Sequence, residues 1–354
     1  GKVDEGKDIA SNKTFRYFSE VPNIDSGEFA YTSTKDSTWN FILQQEPVNA
    51  DKLEKLLENP RRDVNVTFKH EVNSTNDKQS PIQKVQNKDK DFAIVATTNS
   101  IPEGMGNNMD SDKIAYDALI VFVGARNNNT KLVRALEGKI TLEQLRKIYT
   151  GKIANWSQIA KGVGNIPIEP NIPIEAEAVD KFEQLIFEKN SQDINLFRGM
   201  KEKFTTIGTT QTIRRIRRKV ENEQTTGIIS FNILSKTKDQ CGIYPLAIAD
   251  QNGKNKNQPF INELRKTHLE ISHDLCDKDT DFSDKSFEKY PLKYGLHVVY
   301  PKDRSSKQKR RGGHMFACLL NSTQGLCLLK KVNVIPLHPI PSDLNKNGCK
   351  SVPK

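Results

Sequence analysis

The run AYDALIVFV, Ala115 to Val123, is the most apolar stretch of this chain. A run of that kind is satisfied at the centre of a sheet covered on both faces. Candidate strands and helices alternate around it. Glu28 to Tyr31, Val64 to Lys69, Phe92 to Thr97, Gly227 to Phe231 and Leu292 to Tyr300 read as strands. Helices are expected from Trp39 onward, behind the N-cap residues Ser37 and Thr38, and over Ala50–Glu58, Thr141–Tyr149 and Val179–Lys189. Thr141 with Gln144 makes a capping box. Toward the C-terminus a pair of helical stretches, His314–Leu320 and Leu326–Lys331, is expected on either side of a break at Gly325. The alternation predicts an α/β fold with mostly parallel sheets flanked by helices.

At 354 residues the chain exceeds what one small core needs, and two lobes of roughly 100 to 200 residues are expected. Residues 1–24 read as a polar linker, the stretch from Ser235 to about Asp284 as long loops, and residues 341–354 as a tail. No window holds the roughly 18 consecutive apolar residues of a membrane span, so a soluble protein is expected. The opening GKVDEGKDIASNK reads as a trimmed terminus or a linker.

The formal net charge is +10, and clustered Lys and Arg would point to a polyanion. One cluster, Arg214, Arg215, Arg217, Arg218 and Lys219, falls on an expected helix. The other, Lys307, Lys309, Arg310 and Arg311, falls in an expected loop. Neither is interleaved with aromatics as a base-stacking surface would be, and Glu221 and Glu223 interrupt the first. Both read as solvated basic faces, with a polyanion site or a protein-docking surface as the alternatives, and no nucleic-acid partner is expected. The six histidines are scattered, and no Ser-His-Asp arrangement, Walker loop or HExxH helix occurs. No catalytic activity, metal or cofactor is expected. Trp39 and Trp156 read as packing residues.

Of five cysteines, Cys241 and Cys276 lie in polar, turn-rich sequence. A bridge between them would close a loop of about 35 residues, add a few kcal/mol and suit an oxidising compartment. Cys318 and Cys327 lie in apolar helical sequence and read as small buried hydrophobes.

The segment ITLEQLRKIYTGKIANWSQI, Ile140 to Ile159, resembles a signature of the phosphate-binding periplasmic proteins, the substrate-binding components of ABC phosphate transporters. FAIVATT at Phe92, DALIVFV at Asp117, TTGIISF at Thr225, YPLKYGLHVVYPKD at Tyr290 and LLNSTQGLCLLKKVNVIPL at Leu319 follow the same pattern in order. VPNIDSGEFAYTSTKDSTW from Val21 and QCGIYPLA from Gln240 resemble more closely a cyanobacterial type, found free or fused to membrane-anchored serine/threonine kinases, with cysteines at the places of Cys241 and Cys276. The resemblance implies a two-lobed type II periplasmic-binding-protein fold. Lobe I would comprise residues 25–118 and 237–340, and lobe II, residues 119–236, would be inserted.

It implies further a small-molecule or oxyanion ligand held between the lobes by hydroxyls and amides at helix N-termini. The matching positions are Ser37 and Thr38, Thr97 and Thr98, and Thr209, Thr210 and Gln211. Two features of the pattern are missing. A glycine-rich loop falls on Glu71–Pro81, EVNSTNDKQSP, which has no glycine. The arginine and Ser-Gly-Thr turn that clamp phosphate fall on Asn171–Val179, NIPIEAEAV, which offers Glu175 and Glu177. Carboxylates there repel a dianion. Arg126 and Lys35 are the candidate compensating cations. The expectation is an extracytoplasmic solute-binding protein with a degenerate phosphate site, working with a membrane permease or a membrane-anchored kinase. The alternative is a sensory or protein-interaction module that has lost its ligand.

Overall fold

A computed structural model describes residues 15–350, apart from 75, 126–130, 202, 205, 223–225, 239, 241, 255, 258–286 and 303–306. Contacts divide the chain into two compact units, Gly1–Asp117 with Tyr294–Lys354, and Ala118–Lys293.

The first unit begins with β1 (Gly27–Thr34), α1 (Thr38–Leu43), β2 (Val66–Asn73), α2 (Pro81–Gln86) and β3 (Phe92–Thr97), and continues into β4 (Met109–Gly124). Strand β1 runs parallel to β2, Gly27 opposite Val66 through Thr34 opposite Asn73, and parallel to β3, with Tyr31 opposite Phe92. One face of these strands carries an aromatic core. Tyr31 stacks on Phe92 at 4.7 Å and on His70 at 4.6 Å, and Phe316 packs against the Tyr31, Phe68 and Phe92 rings. Fully buried Trp39 donates its indole N–H to the Val95 carbonyl at 2.9 Å. The expected helix over Ala50–Glu58 is a single turn, Leu53–Leu56, because Val48 and Asp51 form a β-bridge just before it.

Strand β4 starts well before the apolar run that announces it in the sequence. Its first half holds the buried Asp110 and Asp112, and Asp112 accepts a hydrogen bond from the Tyr300 hydroxyl at 2.7 Å. A buried carboxylate satisfied by a distant partner, as Asp112 is, breaks the apolar pattern without breaking the strand. The chain enters the second unit within β4, at Ala118.

That unit contains β5 (Lys139–Thr141), α3 (Leu142–Tyr149), β6 (Glu169–Pro170), β7 (Ile172–Pro173), α4 (Ala176–Ile186), α5 (Ser191–Met200), β8 (Thr206–Ile207), α6 (Thr209–Glu221), β9 (Ile228–Ile233), β10 (Ile243–Pro245) and β11 (Ala247–Ala249). The second half of β4 pairs antiparallel with β9, and β9 pairs parallel with β6. The expected capping box is present at α3, where Thr141 Oγ1 accepts from Gln144 N at 3.1 Å and Gln144 Oε1 accepts from Thr141 N at 3.0 Å. Phe182 stacks on Phe231 at 3.9 Å, and the Tyr149 ring meets both edge-on. Trp156, also fully buried, donates to the Gly227 carbonyl at 3.0 Å. Both tryptophans are packing residues, as the sequence reading has them. The resemblance implies that the chain re-enters lobe I at residue 237. By contacts, the second unit runs to Lys293, with β10 paired to β4 and β11 to β5 inside it.

The first unit is completed by β12 (Lys293–Pro301), α7 (Lys307–Asn321), α8 (Thr323–Lys331), β13 (Ile335–Pro336) and α9 (Ser342–Lys346). Strand β12 runs antiparallel to β3, and β13 antiparallel to β4, so the sheets are mixed. Three sequence expectations need correction here. The basic run from Lys307 opens helix α7 and is not a loop. The Gly312-Gly313 pair behind it acts as a packing surface, since a Cβ on Gly313 would stand 2.5 Å from Tyr300 Cβ. The break between the last two long helices falls at Ser322, whose Oγ caps α8 by accepting from Gly325 N at 3.0 Å; Gly325 itself is helical. Cys327 is not a free thiol but is disulfide-bonded to Cys349, with Cα atoms 5.5 Å apart. Their pairing follows from the C-terminal segment folding back as α9, with Leu344 fully buried. Cys318 is free and buried, and its thiol is pushed up to about 12 by burial and by the nearby Asp112 carboxylate. The Cys241–Cys276 pairing lies outside the described residues.

Candidate functional site

Each nominated hydroxyl has to be judged by where its hydrogen bonds go. In the first unit Ser37 is buried and acts as the N-cap of α1, its side chain accepting from Asn40 N at 3.3 Å. Thr38, the first residue of α1, donates to Asp117 Oδ2 at 2.9 Å, and its Oγ1 lies 2.9 Å from the Tyr294 hydroxyl. Both Thr38 and Asp117 are fully buried. Thr97 Oγ1 accepts from Asn99 N at 3.1 Å, and Thr98 is half-buried. Lys35 is exposed, next to Asp36 with its positive φ of 56°. Arg126 lies outside the described residues. The segment that takes the place of a glycine-rich loop holds a self-contained cap instead. Ser80 Oγ accepts from Gln83 N at 3.2 Å, Gln83 Oε1 accepts from Ser80 N at 2.8 Å, and Pro81 occupies the first turn of α2.

Beside α1 sits a buried polar network with a superficial likeness to a nucleophile and base. Ser33 Oγ lies 2.8 Å from His70 Nε2, and His70 Nδ1 is 3.8 Å from Glu54 Oε2. Asn40 Nδ2 donates to the Thr34 carbonyl at 3.1 Å, which turns Asn40 Oδ1 toward Ser33 to accept its proton. The Ser33 proton is thereby directed to Asn40 rather than to His70, unlike that of an activated nucleophile. Ser33 is also fully buried. Burial lowers the His70 pKa from its ordinary value, against a smaller raising effect of Glu54.

In the second unit one side chain organises the nominated residues. Helix α6 starts at Thr209 behind Gly208, which has no side chain to cap it. Glu175, the residue preceding α4, supplies the cap: its Oε1 accepts from Thr209 Oγ1 at 2.8 Å and from Thr209 N at 3.3 Å, and its Oε2 accepts from Asn232 Nδ2 at 3.1 Å. Thr209 and Asn232 are buried, whereas Thr210 and Gln211 are exposed. Burial pushes the Glu175 carboxyl up, but the hydrogen bonds from Thr209 and Asn232 outweigh it and hold the pKa below the ordinary carboxylate value. A fixed negative charge thus stands where the positive end of a helix would otherwise face outward. Glu175→Ala is expected to cost about 1–2 kcal/mol, through loss of a cap and an unsatisfied Asn232 amide, measurable by chemical denaturation.

Sequence reasoning places Glu175 in this region, but misses Asn232, Asp117 and Tyr294. The available signal is an acid or amide side chain inside a buried strand: Asp117 in AYDALIVFV and Asn232 in ISFNI. An open groove of about 440 Å³ lies on the second unit, lined by Ile174, Val179, Asp180, Glu183, Arg198 and Lys201 among others. It includes none of the nominated residues, and Arg198 is committed to Glu183 through two hydrogen bonds of 2.9 Å.

A profile described as a PBP superfamily domain matches residues 46–316. The chain belongs to the PBP, or periplasmic-binding-protein, superfamily. Solved structures of similar fold include a putative phosphate ABC transporter substrate-binding protein with bound phosphate from Clostridium perfringens, at 15% identity over 88% of this chain and 100% of that one, with a TM-score of 0.51. An ABC-type phosphate transport receptor from Vibrio cholerae matches at 16% identity over 87% of this chain and 100% of that one, TM-score 0.51. A possible phosphate binding protein from Planctomyces limnophilus matches at 17% identity over 92% and 96%, TM-score 0.51. No curated protein matches the chain. At these identities the shared property of this PBP member and its structural relatives is the fold. Within it, the α6 N-terminus is occupied by the protein's own carboxylate.

Proposed function

We propose that this PBP-superfamily protein is an extracytoplasmic solute-binding protein whose two units serve as lobes and whose phosphate site is degenerate. The observation that carries the reading is Glu175. Its ionised carboxylate takes the Thr209 amide, the Thr209 hydroxyl and the Asn232 amide together, donors that an oxyanion at this helix end would need. A second negative charge placed against it is repelled, so the favoured ligand is a neutral, zwitterionic or weakly charged solute rather than phosphate. Structural relatives bear names of phosphate transport, which supports a membrane permease as the partner. The sequence likeness to the kinase-fused cyanobacterial type supports a membrane-anchored kinase as the other candidate.

The alternative reading, a sensory or protein-interaction module without a ligand, draws on a different observation: Ser37, Thr38, Thr97 and Thr209 already use their hydroxyls within the protein. A thermal-shift screen with small neutral solutes, amino acids and oxyanions separates the two. A saturable stabilisation by one solute class is expected for a binding protein, since a ligand that binds only the native state raises its midpoint. No shift by any solute, with the protein folded, would favour the interaction module.

A further inference from the structure

The two chain-terminal segments of the first unit meet on helix α8. A helix leaves its first N–H groups without intrahelical partners, and at α8 most of that demand is met from far away in sequence. Thr323 N donates to the Phe15 carbonyl at 2.7 Å and Gln324 N to the Arg16 carbonyl at 2.8 Å, while the Gln324 side chain accepts from Phe18 N at 3.0 Å. Residues 15–18 therefore cap α8 through main chain, and Phe18 and Val21 are buried behind the contact. On the other side α9 lies against α8, tied by Cys327–Cys349. Asp343 of α9 forms an ion pair with Arg16 of the capping segment.

We propose that the Cys327–Cys349 disulfide fastens a clasp in which α9, through Asp343 and Arg16, holds residues 15–18 as the N-terminal cap of α8. Docking of the N-terminal segment then depends on oxidation. Both sulfur-bearing residues are only 1% exposed, so the bond persists while α9 stays docked. A dithiol reductant that reaches it when α9 opens gives two thiols and the oxidised cyclic reagent, and α9 is left held by Leu344 and its neighbours alone. With α9 released, Asp343 moves away from Arg16 and the capping segment loses one of its anchors.

Amide hydrogen exchange tests this on the full chain. The informative amides are Thr323 and Gln324, which report the distant cap, against Gly325, whose N–H bonds to the local Ser322 Oγ. In the oxidised wild type all three are expected to be protected. In Cys349→Ser, and after dithiothreitol reduction and alkylation, Thr323 and Gln324 are expected to exchange at least about tenfold faster, with Gly325 and the β3 amides little changed. Asp343→Ala leaves the disulfide in place and is expected to speed the same two amides to a smaller degree. Should the cysteine variant fail to fold, the Asp343→Ala result and reduction of the folded wild type decide the matter. Unchanged exchange at Thr323 and Gln324 in these experiments would overturn the clasp.

Discussion

Gly325→Ala is expected to destabilise the protein by about 3 kcal/mol, although an alanine in place of a helical glycine ordinarily stabilises by about 1 kcal/mol. Gly325 is the third residue of α8, immediately after the corner at Ser322. A Cβ built there would stand 2.2 Å from the Leu319 carbonyl oxygen and 2.5 Å from that of Leu320. These are backbone atoms in the last turn of α7 and cannot rotate aside as a side chain can. Relief requires the α7–α8 corner to open, and Leu319, Leu320, Leu326 and Leu328 around it are all buried. Gly199 in α5 is the built-in comparison. It is exposed, and its added Cβ would meet nothing within 4 Å. Gly199→Ala is expected to be stabilising by about 0.5–1 kcal/mol. Urea denaturation of the two variants should thus give opposite signs, and a stabilised Gly325→Ala protein would contradict the packing at this corner.

The second large effect is acid lability from His297. It sits in β12 opposite Val95, is 2% exposed, and neither ring nitrogen has a hydrogen-bond partner among the described residues. Burial, reinforced by the Lys113 charge, lowers its pKa to about 4. Because the folded state then binds a proton less readily than the unfolded state, the unfolded chain takes up the proton first as pH falls. The stability due to neutral His297 is complete above the ordinary histidine pKa of about 6.5 and declines below it, levelling off near pH 4. A separation of about 2.5 units corresponds to a loss of about 3 kcal/mol over that window. His70, also held below its ordinary value by burial, acts in the same direction. Denaturation midpoints followed between neutral pH and pH 4 should fall steeply in the wild type. His297→Gln should show a distinctly shallower slope, and an unchanged slope would remove His297 as the cause.

What the sequence reveals and what it hides divide along the range of the interactions. Strand Phe92–Thr97, the Thr141–Gln144 capping box and the packing roles of Trp39 and Trp156 rest on neighbouring residues or on burial of one large ring, and pattern alone finds them. The first half of β4 is hidden because Asp110 and Asp112 look like loop residues, and the Tyr300 hydroxyl that satisfies Asp112 comes from a distant strand. Gly325 looks like a helix breaker, and the packing role of Gly312 and Gly313 goes unseen, because glycine has two uses. Here the close approach of another chain segment is the relevant one, and nothing in the local sequence announces it. The Cys327–Cys349 bond depends on a tail returning to the body of the first unit. The candidate site follows the same rule. The acidic character of the Glu175 region, where the resemblance implies an anion-clamping arginine, is legible, as is the repulsion it would exert on a dianion. That Glu175 is held by Thr209 and Asn232 is not, because those partners come from two other elements of the second unit.

The proposed function rests on Glu175 taking the donors at the head of α6, and it predicts that phosphate is not the ligand. Calorimetric titration of the folded, oxidised protein with inorganic phosphate at neutral pH tests this most directly. No saturable heat in the micromolar range is expected. Micromolar or tighter binding of phosphate with unit stoichiometry would contradict it.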